Sequence, residues 1–236
     1  GRLRVGDRVF GCMRFGAYAT QVNVPAHQLQ LLPDDWSFEE GAAFACQTLT
    51  VYYALKQLGA IEKGYTVLIH SLGGGCGLQA ASICAALGAT VVGTVGSEAK
   101  VALVLERLPG LVREQIVVRD RHRFGEQLDD SLRALGVQGF DIVLDAVLGD
   151  FYQPGYDRLL PAGRYVVYGA ADMTPTHASM GFLAWVRLAW QWLKRPKLDP
   201  MELPGSNKSV MGFNLIHCFN NAQLLMRLLD ELAAMK

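Results

Sequence analysis

The chain has 236 residues, and its 22 Lys and Arg balance 22 Asp and Glu for a net charge of zero. That length supports one large domain, or one domain with part of another, and the charge balance excludes the basic field that nucleic acid would require. Apolar residues make up 51%, but Gly, Lys and Arg interrupt the long runs, so no segment reads as a membrane-spanning helix of about 20 residues. Cys12, Cys46, Cys76, Cys84 and Cys218 are odd in number and form no C-x-x-C pair. Free thiols in a reducing, cytoplasmic setting are expected.

Residues 1–45 carry short apolar stretches broken by Gly and Pro, as in Val22-Asn-Val-Pro25 and Leu31-Leu-Pro33, and read as β-rich. Ser37, with Glu40 three residues on, spells a capping box that opens a helix. The pattern then alternates through helix 47–58, strand 66–71, helix 76–87, strand 90–95, helix 98–107 and strand 115–118. It continues with helix 124–135, strand 140–145, helix 150–159, strand 164–169, strand 209–215 and helix 218–235. Such alternation predicts an α/β fold, a Rossmann-type doubly wound parallel sheet covered on both faces. The expected boundary lies between a partial β-rich domain at 1–45 and a dinucleotide-binding domain at 46–236.

The most informative stretch runs from Val67 to Thr94. It reads as strand, glycine-rich turn, helix and second strand, one βαβ unit. Gly74, Gly75 and Gly77 let backbone N–H groups approach a pyrophosphate with no Cβ in the way, and the turn includes Cys76. The helix that follows turns its positive end to the same phosphates. In the G-x-G-x-x-G register the first glycine falls on Leu72, while Gly74 and Gly77 occupy the other two places.

This wording resembles the medium-chain dehydrogenase/reductase superfamily, in its quinone oxidoreductase branch and, more narrowly, its vesicle amine transport group. Val5-Gly-Asp-Arg-Val-Phe10, Gly16-Ala-Tyr-Ala19, Trp36-Ser-Phe-Glu-Glu-Gly-Ala-Ala43 and Leu49-Thr-Val-Tyr-Tyr-Ala-Leu55 are similar to stretches of that family. So are Asp141-Ile-Val-Leu-Asp145, Gly163-Arg-Tyr-Val-Val-Tyr-Gly-Ala-Ala171 and Asn207-Lys-Ser-Val-Met-Gly-Phe-Asn-Leu215. The resemblance makes residues 1–45 a partial GroES-like catalytic domain, and the chain is expected to lack both ends of the family's length. It implies NADPH-dependent reduction of a quinone or enone by hydride transfer, and a homodimer paired through strand 209–215. It also puts Thr50 and Phe213 beside the nicotinamide, and Gly169 at a strand end that opens on the cofactor crevice. One departure stands out: the family often has D-x-V-G-G after the fourth strand, and this chain has Leu148 where a glycine would be.

Cofactor choice turns on charge. NAD-binding relatives close the second strand with an acid on the ribose hydroxyls. This chain has Thr94-Val-Gly-Ser-Glu-Ala-Lys100 there. Ser97 offers a hydroxyl and Lys100 a positive charge, which suits the 2′-phosphate of NADPH. Glu98 reads as a first-turn helix acid. Arg119 stands where the family commonly has Tyr, and a guanidinium grips phosphate with two hydrogen bonds. Its plainer reading is a surface Arg paired with Asp120 or Glu126.

No metal is expected. The chain runs from Val9-Phe-Gly-Cys-Met-Arg-Phe15 straight into Gly16, with no four-cysteine zinc spacing. Cys46 resembles the third catalytic zinc ligand of alcohol dehydrogenases, so a zinc-dependent alcohol dehydrogenase is one alternative. Its other two ligands would lie upstream of Gly1. His70 and His217 read as structural. Tyr52 and Tyr53 are proton-donor candidates by type alone, so the catalytic residue is unassigned.

Residues 182–197 hold Phe182, Trp185, Leu188, Trp190, Trp192 and Leu193 at helical spacing, with Arg187, Lys194, Arg195 and Lys197. Aromatic and basic residues together suit a helix on an anionic membrane, the basis of a second alternative, a peripheral membrane or lipid-handling protein. Packing over the crevice or against a partner subunit is the plainer reading.

Overall fold

The computed structural model describes residues 3–173, 192–193, 195–219 and 221–233. Packing divides the chain into two compact units, residues 1–53 with 214–236, and residues 54–213. The sequence-based boundary at 45/46 differs from this division at both ends, since 214–236 packs with the N-terminal segment.

In the first unit β1 (Val9–Gly11) pairs antiparallel with β2 (Leu29–Leu31). Helix α1 (Phe38–Tyr52) starts at the expected capping box: Ser37 Oγ accepts from the Glu40 N–H at 3.1 Å, and Glu40 Oε2 accepts from the Ser37 N–H at 2.7 Å. Gly41 lets α1 sit down on this hairpin, because a Cβ there would stand 2.5 Å from Leu32 Cδ1 and 3.1 Å from Phe10 Cβ. Trp36 and Phe44 pack edge to face at 4.9 Å. The helix opened at Ser37 and the one expected over 47–58 are a single element. No Gly or Pro interrupts the chain between Gly41 and Gly59, so α1 passes directly into a π-helical turn, Tyr53–Leu58. Helix Ala222–Ala233 buries Leu225, Leu228 and Leu229, and its Glu231 accepts the Tyr52 hydroxyl at 2.9 Å.

The second unit is built on six parallel strands. They are β3 (Thr66–Ile69), β4 (Thr90–Val95), β5 (Ile116–Val118), β6 (Phe140–Asp145), β7 (Leu159–Val167) and β8 (Ser209–Gly212), in the spatial order β5-β4-β3-β6-β7-β8. Counted from β3 this is 3-2-1-4-5-6, the doubly wound order, whose direction reverses between β3 and β6. Val67 is in register with Val91 on one side and Ile142 on the other. Helices α2 (Gly75–Ala86), α3 (Ala99–Arg107), α4 (Phe124–Leu135) and α5 (Tyr152–Asp157) connect the strands. α4 shows why: Phe124, Leu128 and Leu132 recur every fourth residue and are all buried, and Gly136 ends the helix at φ 66°. Burying each such side chain stabilises the fold by about 1.5–3 kcal/mol.

Several boundaries differ from expectation: β7, expected over 164–169, runs Leu159–Val167, and the last helix, expected over 218–235, runs Ala222–Ala233. β3 stops at Ile69 because the chain turns out of the sheet at Ser71, with φ 57°. The helix expected over 150–159 is shorter, entered through a 3-10 turn at Gly149–Phe151. β8 ends at Gly212, and Leu215 opens the short helix Leu215–Cys218 of the other unit instead of extending the strand.

Asp145 is the buried carboxylate that ties the strand ends together. Its Oδ1 accepts from the N–H groups of Val147 (2.7 Å) and Leu148 (2.9 Å), and its Oδ2 accepts from the Tyr165 hydroxyl at 2.6 Å. Both residues are fully buried, and burial beside this carboxylate pushes the Tyr165 phenol well above its ordinary range. Tyr165→Phe is expected to cost about 1.5–3 kcal/mol, the worth of a hydrogen bond to a charged group. Urea denaturation measures it, and a loss below about 0.5 kcal/mol would show that Asp145 is satisfied without the phenol.

Candidate dinucleotide site

The carboxyl ends of β3, β4, β5, β6 and β7 open on one side of the sheet. The chain leaving β3 makes a tight turn in which the Gly74 N–H donates to the Ser71 carbonyl at 2.9 Å. Gly74 caps α2, whose first turn is Gly75, Cys76 and Gly77. N–H groups of a first helical turn have no partner within the helix and carry its positive end. At Gly77 only glycine fits: a Cβ would lie 2.5 Å from the Ser71 carbonyl oxygen and 2.6 Å from Leu72 Cα. Gly74 differs, since its nearest neighbour would be the Ser71 oxygen at 3.3 Å. Leu72, which replaces the first fingerprint glycine, is fully buried against β4, and a Cβ at Gly93 would overlap its side chain.

The β4–β5 side carries the cationic candidates. Arg119 follows β5, is half-buried, and donates from Nη1 to Thr94 Oγ1 at 3.0 Å and Ser71 Oγ at 3.4 Å. Its guanidinium lies 5.2 Å from the Phe151 ring centroid, as does that of Arg121. Burial pulls Arg119 below its ordinary value, with Asp145 and Asp172 opposing. The surface pairing with Asp120 or Glu126 does not form; Glu126 pairs with Arg123. Arg121 is neutralised by Asp150 (2.6 Å) and by Asp172. Ser71, Gly96, Arg119, Phe151 and Asp172 line a cleft of about 320 Å³.

Ser97 and Lys100 are exposed just beyond β4. The Lys100 stem faces the glycine turn, with its Cδ 3.7 Å from where a Gly73 Cβ would stand. Glu98 is engaged by Arg113 at 3.2 Å, on the surface.

Beneath this cleft lies His70, fully buried. Its Nδ1 is 3.4 Å from Thr94 Oγ1, which already accepts from Arg119 and from the Ser71 N–H. The Thr94 hydroxyl is thus the polar neighbour of Nδ1, while Nε2 is buried with no hydrogen-bond partner among the described residues. Burial lowers the His70 pKa, so the ring is neutral at neutral pH. The structural reading of His70 agrees with this placement.

On the β7 side, Gly169 approaches the loop after β6 so closely that a Cβ would stand 3.0 Å from the Ala146 carbonyl oxygen. Phe213 stacks on Tyr168 at 6.2 Å, and Tyr168, whose phenol burial pushes up, lies within electrostatic reach of Cys76. The turn residues, Gly169 and Phe213 therefore belong to one neighbourhood. Leu148 has φ 58° and ψ −144°, a region essentially reserved for glycine, which costs about 1–3 kcal/mol of strain. A glycine would adopt this conformation without that strain.

The remaining candidates fall in the first unit. Thr50 Oγ1 donates to the Cys46 carbonyl at 2.7 Å, a back-bond within α1. The Tyr52 phenol is raised to about 12 by burial and by Glu231, and burial also raises Tyr53, so both are weakened as proton donors. His217 is exposed. Among the described residues no three His, Cys, Asp or Glu side chains come together as a metal would require. Of the aromatic segment, Phe182, Trp185, Arg187, Leu188, Trp190 and Lys194 lie outside the described residues. Trp192 and Leu193 are exposed, and Arg195 covers the Trp192 ring at 4.5 Å. No helix among the described residues is long and apolar enough to cross a membrane.

Sequence reasoning missed Ser71, Thr94, Phe151 and Tyr168. Ser71 and Thr94 were visible as hydroxyls at the ends of apolar strands; Phe151 and Tyr168 carried no signal apart from tertiary packing.

The glycine contacts generate a two-part expectation. Gly77→Ala is expected to destabilise the fold by about 1–3 kcal/mol, because its neighbours are backbone. Gly74→Val is expected to keep stability within about 1 kcal/mol of wild type and to lower NADPH affinity at least tenfold, about 1.4 kcal/mol. Denaturation and fluorescence titration read the two effects. Unchanged NADPH affinity in Gly74→Val would remove the turn from the site.

Comparison with known proteins agrees with this architecture. Residues 75–230 match the zinc-binding dehydrogenase family. The chain is 32% identical over 216 residues to the mouse (Mus musculus) synaptic vesicle membrane protein VAT-1 homolog-like, covering 90% of this chain and 48% of that protein. It thus spans about half the length of the curated relatives it matches. The Pseudomonas syringae quinone oxidoreductase superposes with a TM-score of 0.72 at 29% identity, over 100% of this chain and 65% of that one. The Thermus thermophilus quinone oxidoreductase, solved also in complex with NADPH, gives 0.72 at 26% identity, over 97% and 64%. The chain belongs to the zinc-binding dehydrogenase family, within the medium-chain dehydrogenase/reductase superfamily.

Proposed function

We propose that the chain binds NADPH along the carboxyl ends of its sheet and serves reduction of a quinone or an activated alkene without zinc. The observation that carries this reading is the charge at the β4–β5 edge. Arg119 is held by hydroxyls, Lys100 faces the glycine turn, and the nearby acids Glu98 and Asp172 are engaged, by Arg113 and Arg121 respectively. A 2′-phosphate entering there meets cations without a competing carboxylate at the strand end. The glycine turn fits a dinucleotide as well, since Gly77 brings the first turn of α2 against the chain leaving β3 and leaves its N–H groups facing the crevice.

Bound NADPH would supply the hydride. The chain's own part is positional. The glycine turn and α2 hold the pyrophosphate, Arg119, Ser97 and Lys100 surround the 2′-phosphate, and Gly169 leaves space for a flat ring beside Phe213. Thr50 is assigned to the nicotinamide side on family grounds. The missing four-cysteine spacing argues against a structural zinc, and reduction without a catalytic zinc is inferred from the resemblance to the quinone oxidoreductase branch. The alternative of a membrane-surface protein rests on Trp192, Leu193, Arg195 and Lys197, all exposed. Scattered apolar side chains are ordinary on protein surfaces, so the oxidoreductase reading is preferred.

Edge strand β8 carries the proposal of a homodimer. Among the described residues it ends the strand order, and it carries Val210 and Met211. Light scattering at micromolar concentration should give twice the chain mass; a monomer would overturn the pairing.

Lys100→Ala is expected to weaken NADPH binding by about 1.5–3 kcal/mol and to leave NADH binding nearly unchanged. Added salt should weaken NADPH binding more than NADH binding. Paired titrations of wild type and variant test both. Equal loss for the two cofactors would give Lys100 a structural role, and wild-type preference for NADH would reject the assignment.

A further inference from the structure

Arg121 lines the same cleft as Arg119 but is given no part in holding the cofactor. The two guanidiniums lie on one Phe151 ring, each 5.2 Å from its centroid. Their partners differ. Among the described residues Arg119 makes its hydrogen bonds from Nη1, to the hydroxyls of Thr94 and Ser71, and its Nη2 lies 3.4 Å from where a Gly96 Cβ would stand. Arg121 donates from Nη1 to Asp150 (2.6 Å) and to Asp172 Oδ2 (3.0 Å), and from Nη2 to Asp172 Oδ1. We propose that Arg121 is a positioning residue for cofactor choice: by covering the Asp172 carboxylate it keeps the Arg119 charge available to a 2′-phosphate. The inference rests on the reading that NADPH brings that phosphate to Arg119.

Three acids bear on these cations, and Asp172 is the one that matters at the cleft. Asp145 is fully buried, with its oxygens taken by the N–H groups of Val147 and Leu148 and by the Tyr165 phenol. The Asp150 side chain is 67% exposed, so water screens it, whereas that of Asp172 is only 16% exposed. Asp172 lines the cleft with Ser71, Gly96 and Arg119, and it lies within electrostatic reach of Arg119. Its place does not depend on Arg121 alone. The Asp172 N–H donates to the Val147 carbonyl at 3.0 Å, and the Ala171 N–H donates to the Ala146 carbonyl at 2.9 Å. Gly149 leaves room for the Asp172 carboxylate, which a Cβ there would overlap.

Without Arg121, the Asp172 carboxylate would therefore stay in the cleft with its charge uncovered. It would compete for Arg119 and repel an incoming phosphate. A dinucleotide with a plain ribose hydroxyl carries no charge for that carboxylate to repel, and carboxylates accept hydrogen bonds from ribose hydroxyls. Arg121 thus acts on the difference between the two cofactors and not on dinucleotide binding as such.

The test is a set of fluorescence titrations of the whole chain with NADPH and with NADH. Wild type is read first, and its preference for NADH would reject the 2′-phosphate reading together with this inference. In Arg121→Gln, NADPH binding should weaken about tenfold or more while NADH binding stays within about twofold of wild type or tightens. Added salt should narrow the difference in NADPH affinity between variant and wild type, because screening acts on the uncovered carboxylate. Adding Asp172→Asn to Arg121→Gln should restore the wild-type preference, and adding Asp150→Asn should not. A wild-type preference for NADPH that survives Arg121→Gln would overturn the inference and leave the 2′-phosphate reading standing. Equal loss for both cofactors, unrelieved by Asp172→Asn, would also overturn it, since Arg121 would then support only the fold. Should Arg121→Gln fail to fold, Asp172→Asn alone decides the matter with Arg121 in place. It should keep or raise the preference for NADPH, and a loss of preference there would overturn the inference.

Discussion

Everything at the nucleotide end of this molecule depends on how closely the first turn of α2 approaches the chain leaving β3. Gly77 sets that distance, since a Cβ would stand 2.5 Å from the Ser71 carbonyl oxygen. The approach aims the positive end of α2 at the crevice where the sheet reverses direction. Leu72 takes the place of the first fingerprint glycine, and the structure compensates one strand away: Gly93 on β4 leaves the room that the Leu72 side chain fills.

The strand ends are held by polar groups that the apolar sheet must satisfy. Asp145 uses Oδ1 on two backbone N–H groups and Oδ2 on the Tyr165 phenol, so its charge is buried with partners on both oxygens. Thr94 accepts from Arg119 and from the Ser71 N–H and lies against His70 Nδ1. A neutral His70 is what this chain of contacts needs, because an imidazolium would compete for Thr94 and repel Arg119. The strained backbone of Leu148 lies in the same region, three residues after Asp145. Its N–H bond to Asp145 helps hold a conformation that a leucine would otherwise leave.

Much of this was legible from residue pattern. The alternation of apolar strands and amphipathic helices gave the parallel sheet, and the capping box at Ser37 marked the start of α1 to the residue. α4 and β6 occupy the residues that periodicity assigned, because Phe124, Leu128 and Leu132 and the run Phe140–Asp145 are strong local signals. The boundaries that moved are those where local pattern competes with context. An apolar run through Val67, Leu68, Ile69, His70 and Ser71 cannot reveal that Ser71 leaves the sheet at positive φ. Nor can the run at 209–215 show that Leu215 starts a helix in the other unit.

By itself the sequence determined the kind of sheet, the glycine turn and the absence of an acid at the end of β4 itself, since each is a matter of residue type at fixed spacing along one segment. Tertiary structure decided which cation is available. Arg119 and Arg121 stand two residues apart and look alike in sequence, yet Arg121 is neutralised by Asp150 and Asp172, which come from distant turns, while Arg119 is held by the hydroxyls of Ser71 and Thr94. Pairings of this kind depend on where the fold delivers a partner, and no local pattern carries that information.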